Sequence, residues 1–203
     1  MSAISLQGNA GGTGTLTVAA PSTNTNRTLT LPDGTGTFSV AGVNSNIVVG
    51  TAVASTSGTS IDFTGIPTWV KRITVMFNTV STNSTNILQI QVGSGSISTS
   101  GYASQFSAGA ATSGVLTTGF GVASMASSAA SAFTGSVTLC LFGSNTWIEQ
   151  GHLAYVNGTV VGWTSGGSSP ALSGALDQLR VISSATGSPS DTFDLGSINI
   201  LYE

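Results

Sequence analysis

Few side chains in this sequence could carry out acid–base or nucleophilic chemistry. The sole histidine, His152, follows Glu149 by three positions. On a β-strand, residues three apart point to opposite sides, so this histidine and this acid cannot act together there. Serine is so frequent that a Ser-His-acid triad would carry little information. We therefore expect that the protein is not an enzyme.

Glycoside hydrolysis usually needs a pair of carboxyl groups on either side of the scissile bond. The seven acidic residues are scattered, and none forms an evident pair of this kind. Asp191 and Asp194 flank the start of a predicted strand. Asp177 is expected to form an ion pair with Arg180 or with the basic residues 71–72. A glycan-hydrolysing spike stays open as an alternative.

Metal binding and thiol chemistry are not indicated by the sequence. It contains no cluster of Cys and His and no calcium-loop pattern of Asp and Asn. The single cysteine, Cys140, lies in a strand-like run, residues 137–142. We expect it to be a small buried hydrophobic residue. No metal and no cofactor are expected.

Recognition of a neutral ligand is the chemistry that these residues can support. Aromatic ring faces with amide and hydroxyl groups beside them bind sugars and similar surfaces. Trp163 stands near Gly162 and Gly166, which favours a position beside a loop tip. Trp69 is expected in the core or at a subunit interface, and core packing is the alternative for every ring. The predicted ligand-binding residues are Tyr102, Tyr155, Asn157 and Trp163, with Trp147 as a further aromatic candidate.

The charge of the chain excludes several classes of partner. Only 5% of residues are charged, against about 25% in an average globular protein. The basic residues form no cluster that could neutralise a run of phosphates, so nucleic acid is not an expected partner. The net charge of −3 argues against an anionic membrane surface. No apolar run approaches the ~20 residues of a membrane helix, and no export signal is evident.

Short strands are the elements that would position these residues. After Pro67 and Trp69, the sequence alternates so that Ile73, Val75 and Phe77 share one face. Asn157-Gly158 between alternating segments predicts a hairpin. Further strands separated by turn clusters predict an antiparallel β-sandwich of jelly-roll type over residues 46–203. Residues 93–135 predict loops and short irregular strands, and the sequence leaves open whether they contain a helix.

The first 45 residues form a separate unit, rich in Gly, Thr and Asn. Two phrases, Thr15–Val18 and Thr28–Leu31, alternate apolar residues with threonine as short strands do. The apolar residues are too few to close a core alone, so the unit needs partners. We predict intertwined strands from several chains, and a disordered tail is the alternative.

Four segments resemble tail-fibre proteins of tailed bacteriophages. Ala19–Thr37 is similar to a module common in them, and Asp62–Val75, Leu172–Arg180 and Thr192–Glu203 are similar to their C-terminal β domain. The resemblance implies a homotrimeric virion appendage that is made in the host cytoplasm. Its N-terminal unit would bind other virion proteins, and its distal domain a glycan or polymer of the host surface. A purely structural capsid, collar or baseplate decoration is the alternative.

The adhesive surface is predicted in two segments, Gly93–Gly114 and Thr159–Ser169. They are rich in glycine and serine and have the weakest strand pattern, so we interpret them as loops, although Thr159–Thr164 also carries a strand signal. With so little charge available, binding there should rely on stacking and neutral hydrogen bonds. Three copies on one axis would add avidity to weak single sites.

Overall fold

A computed structural model describes residues 47–108, 112–124, 131–157 and 159–203, together with residues 11, 13, 22 and 24–26. The chain divides into two units, Met1–Phe38 and Ser39–Glu203. The predicted N-terminal unit, residues 1–45, lies almost wholly outside the described residues. Its intertwined strands and its boundary therefore stay predictions, and the following account concerns the second unit.

The described residues form 14 strands and no helix. The strands are β1 (Val48–Val49), β2 (Val53–Ala54), β3 (Ser60–Thr64), β4 (Arg72–Thr82), β5 (Ile87–Ser94), β6 (Ser96–Ile97), β7 (Ala103–Ala108), β8 (Thr112–Leu116), β9 (Phe120–Ser124), β10 (Phe133–Gly143), β11 (Thr146–Asn157), β12 (Thr159–Ser168), β13 (Gln178–Ser184) and β14 (Phe193–Tyr202). Short strands rich in β-branched and aromatic residues suit pleated surfaces that are buried on one face.

These strands form two packed antiparallel sheets. The large sheet has nine strands in the order β1-β14-β4-β10-β11-β12-β7-β8, with β2 also paired to β14. The small sheet has five, in the order β3-β13-β5-β6, with β9 also paired to β5. The prediction of an all-β antiparallel sandwich is therefore confirmed.

β4 carries the alternation that is clearest in the sequence. Ile73, Val75 and Phe77 face the small sheet and are 0%, 0% and 2% exposed. Val75 lies between Ile200 of β14 and Val137 of β10, and both of these neighbours are buried. The predicted orientation of this strand is confirmed, and it places β4 in the middle of the core.

β11 and β12 form the hairpin that Asn157-Gly158 predicts, since their pairing runs as far as Asn157 and Thr159. β12 then continues to Ser168 and pairs with β7. The two segments interpreted as loops are therefore neighbouring strands over much of their length, and the loop interpretation is wrong there. A Cβ on Gly167 would lie 2.7 Å from the Ala103 carbonyl oxygen, so the missing side chain lets β7 approach.

The central strand of the small sheet, β5, is buried on both faces. Its inward apolar residues and its outward Gln89 and Gln91 are all 0% exposed. Two loops cover the outward face. The Gln89 amide donates to the Ser184 carbonyl at 2.7 Å, and the Gln91 amide donates to the carbonyls of Thr118 and Gly187 at 2.8 Å. These bonds give the buried Gln91 amide nitrogen two acceptors and the buried Gln89 amide nitrogen one.

The ion pairs differ from the predicted ones. β13 pairs with β3 so that Arg180 lies opposite Asp62. The Arg180 Nε and Nη2 atoms donate to the Asp62 carboxylate at 2.7 and 2.8 Å. Arg72 pairs with Glu203, while Asp177 accepts a backbone N–H at 3.0 Å. The predicted pairing of Asp177 with a basic residue is therefore wrong.

Candidate binding surfaces

The outward side chains of β7 and β12 form a shallow groove on the large sheet. Their register pairs Thr164 with Ser107 and Gly166 with Gln105. The hydroxyl oxygens of Thr164 and Ser107 are 3.3 Å apart. Because Gly166 has no side chain, the exposed Gln105 amide has no direct outward neighbour on β12. The groove has a volume of about 250 Å³ and is lined by Gln105, Phe106, Ser107, Thr164, Ser165 and Gly166.

β11 and β10 extend this surface with further neutral groups. His152 lies between Thr164 of β12 and Ser136 of β10, and it is exposed. The neighbouring outward residue on β11, Gln150, is exposed as well. Across the neighbouring strands β10, β11, β12 and β7, the described outward side chains include no Lys, Arg, Asp or Glu. A ligand on this face would therefore be held by hydrogen bonds from hydroxyl, amide and imidazole groups.

Trp163 and Tyr102 point into the core and not toward this groove. Each is 3% exposed. Trp163 packs on Phe106 with ring centroids 5.8 Å apart. The Tyr102 hydroxyl accepts the Val92 N–H at 2.9 Å, and burial raises the pKa of this phenol. The prediction that these two rings are displayed for stacking is wrong, because strand alternation turns Trp163 inward and Thr164 outward.

The remaining predicted ligand-binding residues give no accessible ring either. Tyr155 is 6% exposed and packs on Phe133 with ring centroids 5.0 Å apart. Trp147 is 2% exposed. The Asn157 side chain lies outside the described part of the chain, so its predicted role stays a prediction. Large aromatic rings provide much of the buried area of a core, which explains why all four aromatic candidates lie there.

Trp69 is the accessible tryptophan, at 47% exposed. Its expected place in the core is therefore wrong, while a place at a subunit interface stays a prediction. Its ring packs against Tyr202 with centroids 5.9 Å apart and planes inclined by 50°. Neither residue is among the ligand contacts that the sequence predicts. The sequence signal for an exposed Trp69 is Pro67, because proline favours a turn at this point. In the structure, the Val70 N–H donates to the Pro67 carbonyl and closes that turn around Trp69.

Two further acidic residues, Glu149 and Asp191, are engaged in structural contacts. Glu149 is 2% exposed and accepts the Ser165 hydroxyl at 2.6 Å, while its Oε2 atom has no partner. Burial raises the pKa of Glu149 to about 7, against the opposing effect of that hydrogen bond. His152 points to the opposite face, as predicted. Asp191 accepts hydrogen bonds from the Asn86 amide and the Ser183 hydroxyl.

The outward face also carries an apolar end near the β10–β11 hairpin. Cys140 is exposed, so its predicted burial is wrong: it lies on the outward face of β10. Phe142 and Ile148 lie on the same face and are 79% and 40% exposed. Among the described residues, no group of three or more His, Cys, Asp or Glu side chains could hold a metal ion.

Comparison with protein-family models, with curated proteins and with solved structures found no match. Within the described ranges, no helix is both long enough and apolar enough to cross a membrane.

Proposed function

We propose that this chain is a tail-fibre protein of a tailed bacteriophage, which attaches the virion to a glycan or other polymer on the bacterial surface. In this proposal it is a homotrimer made in the host cytoplasm. The N-terminal unit joins it to other virion proteins, and the β-sandwich contacts the host. The sequence resemblance to tail fibres motivates the proposal.

The uncharged outward face around the β7–β12 groove is the observation that carries it. Gln105, Ser107, Gln150, His152 and Thr164 offer hydrogen-bond donors and acceptors without a fixed charge. Such a face fits a neutral polymer with many hydroxyl groups. A charged patch would attract oppositely charged polymers at long range, whatever their structure. The uncharged face avoids such non-specific binding.

The test is binding of fluorescently labelled protein to cells of a panel of bacterial species. We expect binding that changes little between low and high salt, since no fixed charge is used. The variant Gln105→Ala/Thr164→Ala should bind roughly tenfold more weakly, from the loss of about two neutral hydrogen bonds. Asn78→Ala removes an exposed amide from β4 of the same sheet and should bind as the wild type does.

Normal binding by the double variant would rule out the groove as the site. Binding that collapses in high salt would assign the contact to charged residues such as Lys71. If the folded wild type binds no cells, a structural role as a capsid, collar or baseplate decoration becomes the better explanation. The exposed Phe142 would suit such a protein–protein contact.

A further inference from the structure

A pocket lies where the edges of the two sheets face each other, next to the contact between Trp69 and Tyr202. It has a volume of about 240 Å³. Residues from β3, from β14 and from the segment between β1 and β2 surround it. They are Gly50, Thr51, Asp62, Phe63, Thr64, Gly65, Ile66, Ile200 and Tyr202. In the strand order of the large sheet, this edge is opposite the β7–β12 groove.

The pocket has an apolar floor. Phe63, Ile66 and Ile200 are 8%, 4% and 3% exposed, so they present carbon surface and are themselves held in the core. The Tyr202 ring is half-buried beside them. Trp69 packs on Tyr202 from outside the pocket and is itself 47% exposed. An apolar floor with an aromatic wall suits a ligand that has at least one face of C–H groups.

The rim is polar and carries one carboxylate. Thr51 and Thr64 are exposed, so their hydroxyls can exchange water for ligand. The Asp62 carboxylate is oriented by the two hydrogen bonds from Arg180. Each carboxylate oxygen keeps a lone pair that can accept from a hydroxyl group. Because Arg180 balances its charge, the pocket offers acceptors without a net charge.

Gly50 keeps the mouth of the pocket in place. Its N–H donates to the Ile200 carbonyl at 2.7 Å, and its carbonyl accepts the Asn199 amide at 3.1 Å. A Cβ at this position would lie 3.0 Å from the Ile200 carbonyl oxygen. The absent side chain therefore lets this segment lie close against β14, with the exposed Thr51 at the rim of the pocket.

We propose that this pocket binds the terminal pyranose unit of a neutral glycan. The C–H face of the sugar ring lies on Tyr202 and the apolar floor, and its hydroxyl groups bond to Asp62, Thr51 and Thr64. The volume is below the roughly 300–1,000 Å³ of sites for drug-sized ligands, so it suits a single ring. This site is separate from the β7–β12 groove, and its occupation by simple sugars does not depend on the receptor function.

The experiment is saturation-transfer difference NMR on the full-length protein with methyl glycosides of glucose, galactose, mannose and N-acetylglucosamine, in both anomers. The blocked anomeric oxygen mimics the linkage of a terminal unit. A single ring should bind with a millimolar dissociation constant, so about 10 mM ligand is suitable. We expect ring-proton signals for at least one of these glycosides.

Thr64→Val and Tyr202→Leu should weaken this signal roughly fivefold, and Asn78→Ala, on the outward face of β4, should leave it unchanged. Thr64 is exposed at the end of β3, and valine suits a strand, so this variant tests the pocket even if Tyr202→Leu fails to fold. Absence of signal for all the glycosides would overturn the proposal. So would a signal that survives in Thr64→Val, or one that is lost only in the groove variant Gln105→Ala.

Discussion

The two faces of the large sheet differ in what kinds of side chain they carry. The inward face of β4, β10 and β11 holds large rings and branched chains, such as Phe77, Leu139 and Trp147, all at most 2% exposed. The outward face of β10 and β11 holds mostly small or uncharged polar groups, such as Ser136 and Gln150. Adjacent residues on one strand thus belong to surfaces with different tasks.

This difference separates the side chains on which stability depends from those that can vary. Changes on the inward face remove packing that the solvent cannot replace, whereas outward side chains can vary at little cost to the core. Glu149 is the exception on the inward face, since it brings an ionisable group into the core. We expect the three variants below to have successively smaller effects and to test this separation.

Phe77→Ala should have the largest effect. Its ring is 2% exposed on the inward face of β4, so its removal should lower the free energy of unfolding by about 3–5 kcal/mol. Ser136→Ala, on the outward face of the neighbouring β10, should change it by less than about 0.5 kcal/mol. Denaturant unfolding of both variants gives the comparison. A loss below about 1 kcal/mol for Phe77→Ala would contradict the packing of this face.

Glu149→Gln should reveal the cost of the buried acid as pH changes. The pKa of Glu149 is raised from 4.5 to about 7 in the folded protein. The folded state therefore binds a proton more tightly than the unfolded state does. The stability that this provides is fully present below about pH 4.5 and is lost as pH rises through about 7.

The wild type should lose up to about 3 kcal/mol relative to Glu149→Gln between pH 4.5 and pH 8, if the whole shift is expressed. Glu149 pairs with Leu139 and Gly167 and accepts a hydrogen bond from Ser165, and none of these three side chains titrates. Other groups, including His152, are the same in both proteins and cancel in the difference. Urea unfolding of both proteins across this pH range is the measurement, and parallel stability curves would exclude an elevated pKa.

Alternation in the sequence predicts which side chains share a face of a strand. This part of the fold can therefore be predicted from the sequence. Alternation correctly orients Ile73, Val75 and Phe77, because these apolar residues recur at every second position and Arg72, Thr74 and Asn78 alternate with them. It does not predict the burial of Gln89 and Gln91, since loops distant in sequence cover them. It predicts a strand over Thr159–Thr164, but it does not show that this strand continues to Ser168, because pairing with β7 determines that.

The candidate sites are less predictable than the fold. The segments of the β7–β12 groove were selected from the sequence, but the side chains chosen within them, Tyr102 and Trp163, face inward. Strand alternation at Gly162-Trp163-Thr164 places Trp163 and Thr164 on opposite faces, so Trp163 points inward where Thr164 points outward. The pocket beside Tyr202 could not be predicted, because Asp62 and Tyr202 come together only when the two sheets pack.

Arg180→Ala should lower stability less than Phe77→Ala and less than the full pH effect at Glu149, although it removes a bidentate ion pair. Arg180 and Asp62 lie on the outward face of the small sheet, with side chains 30% and 39% exposed. Water and salt screen such a pair, so we expect a loss of about 0.5–1 kcal/mol at low salt and less at high salt. Arg180→Lys keeps the charge but not the planar pair of donors, so it should restore only part of the loss. Denaturant unfolding at two salt concentrations is the measurement. A loss of unfolding free energy above about 2 kcal/mol that does not depend on salt would show that this outward pair behaves as a buried contact. The separation between inward and outward faces would then not hold for the small sheet.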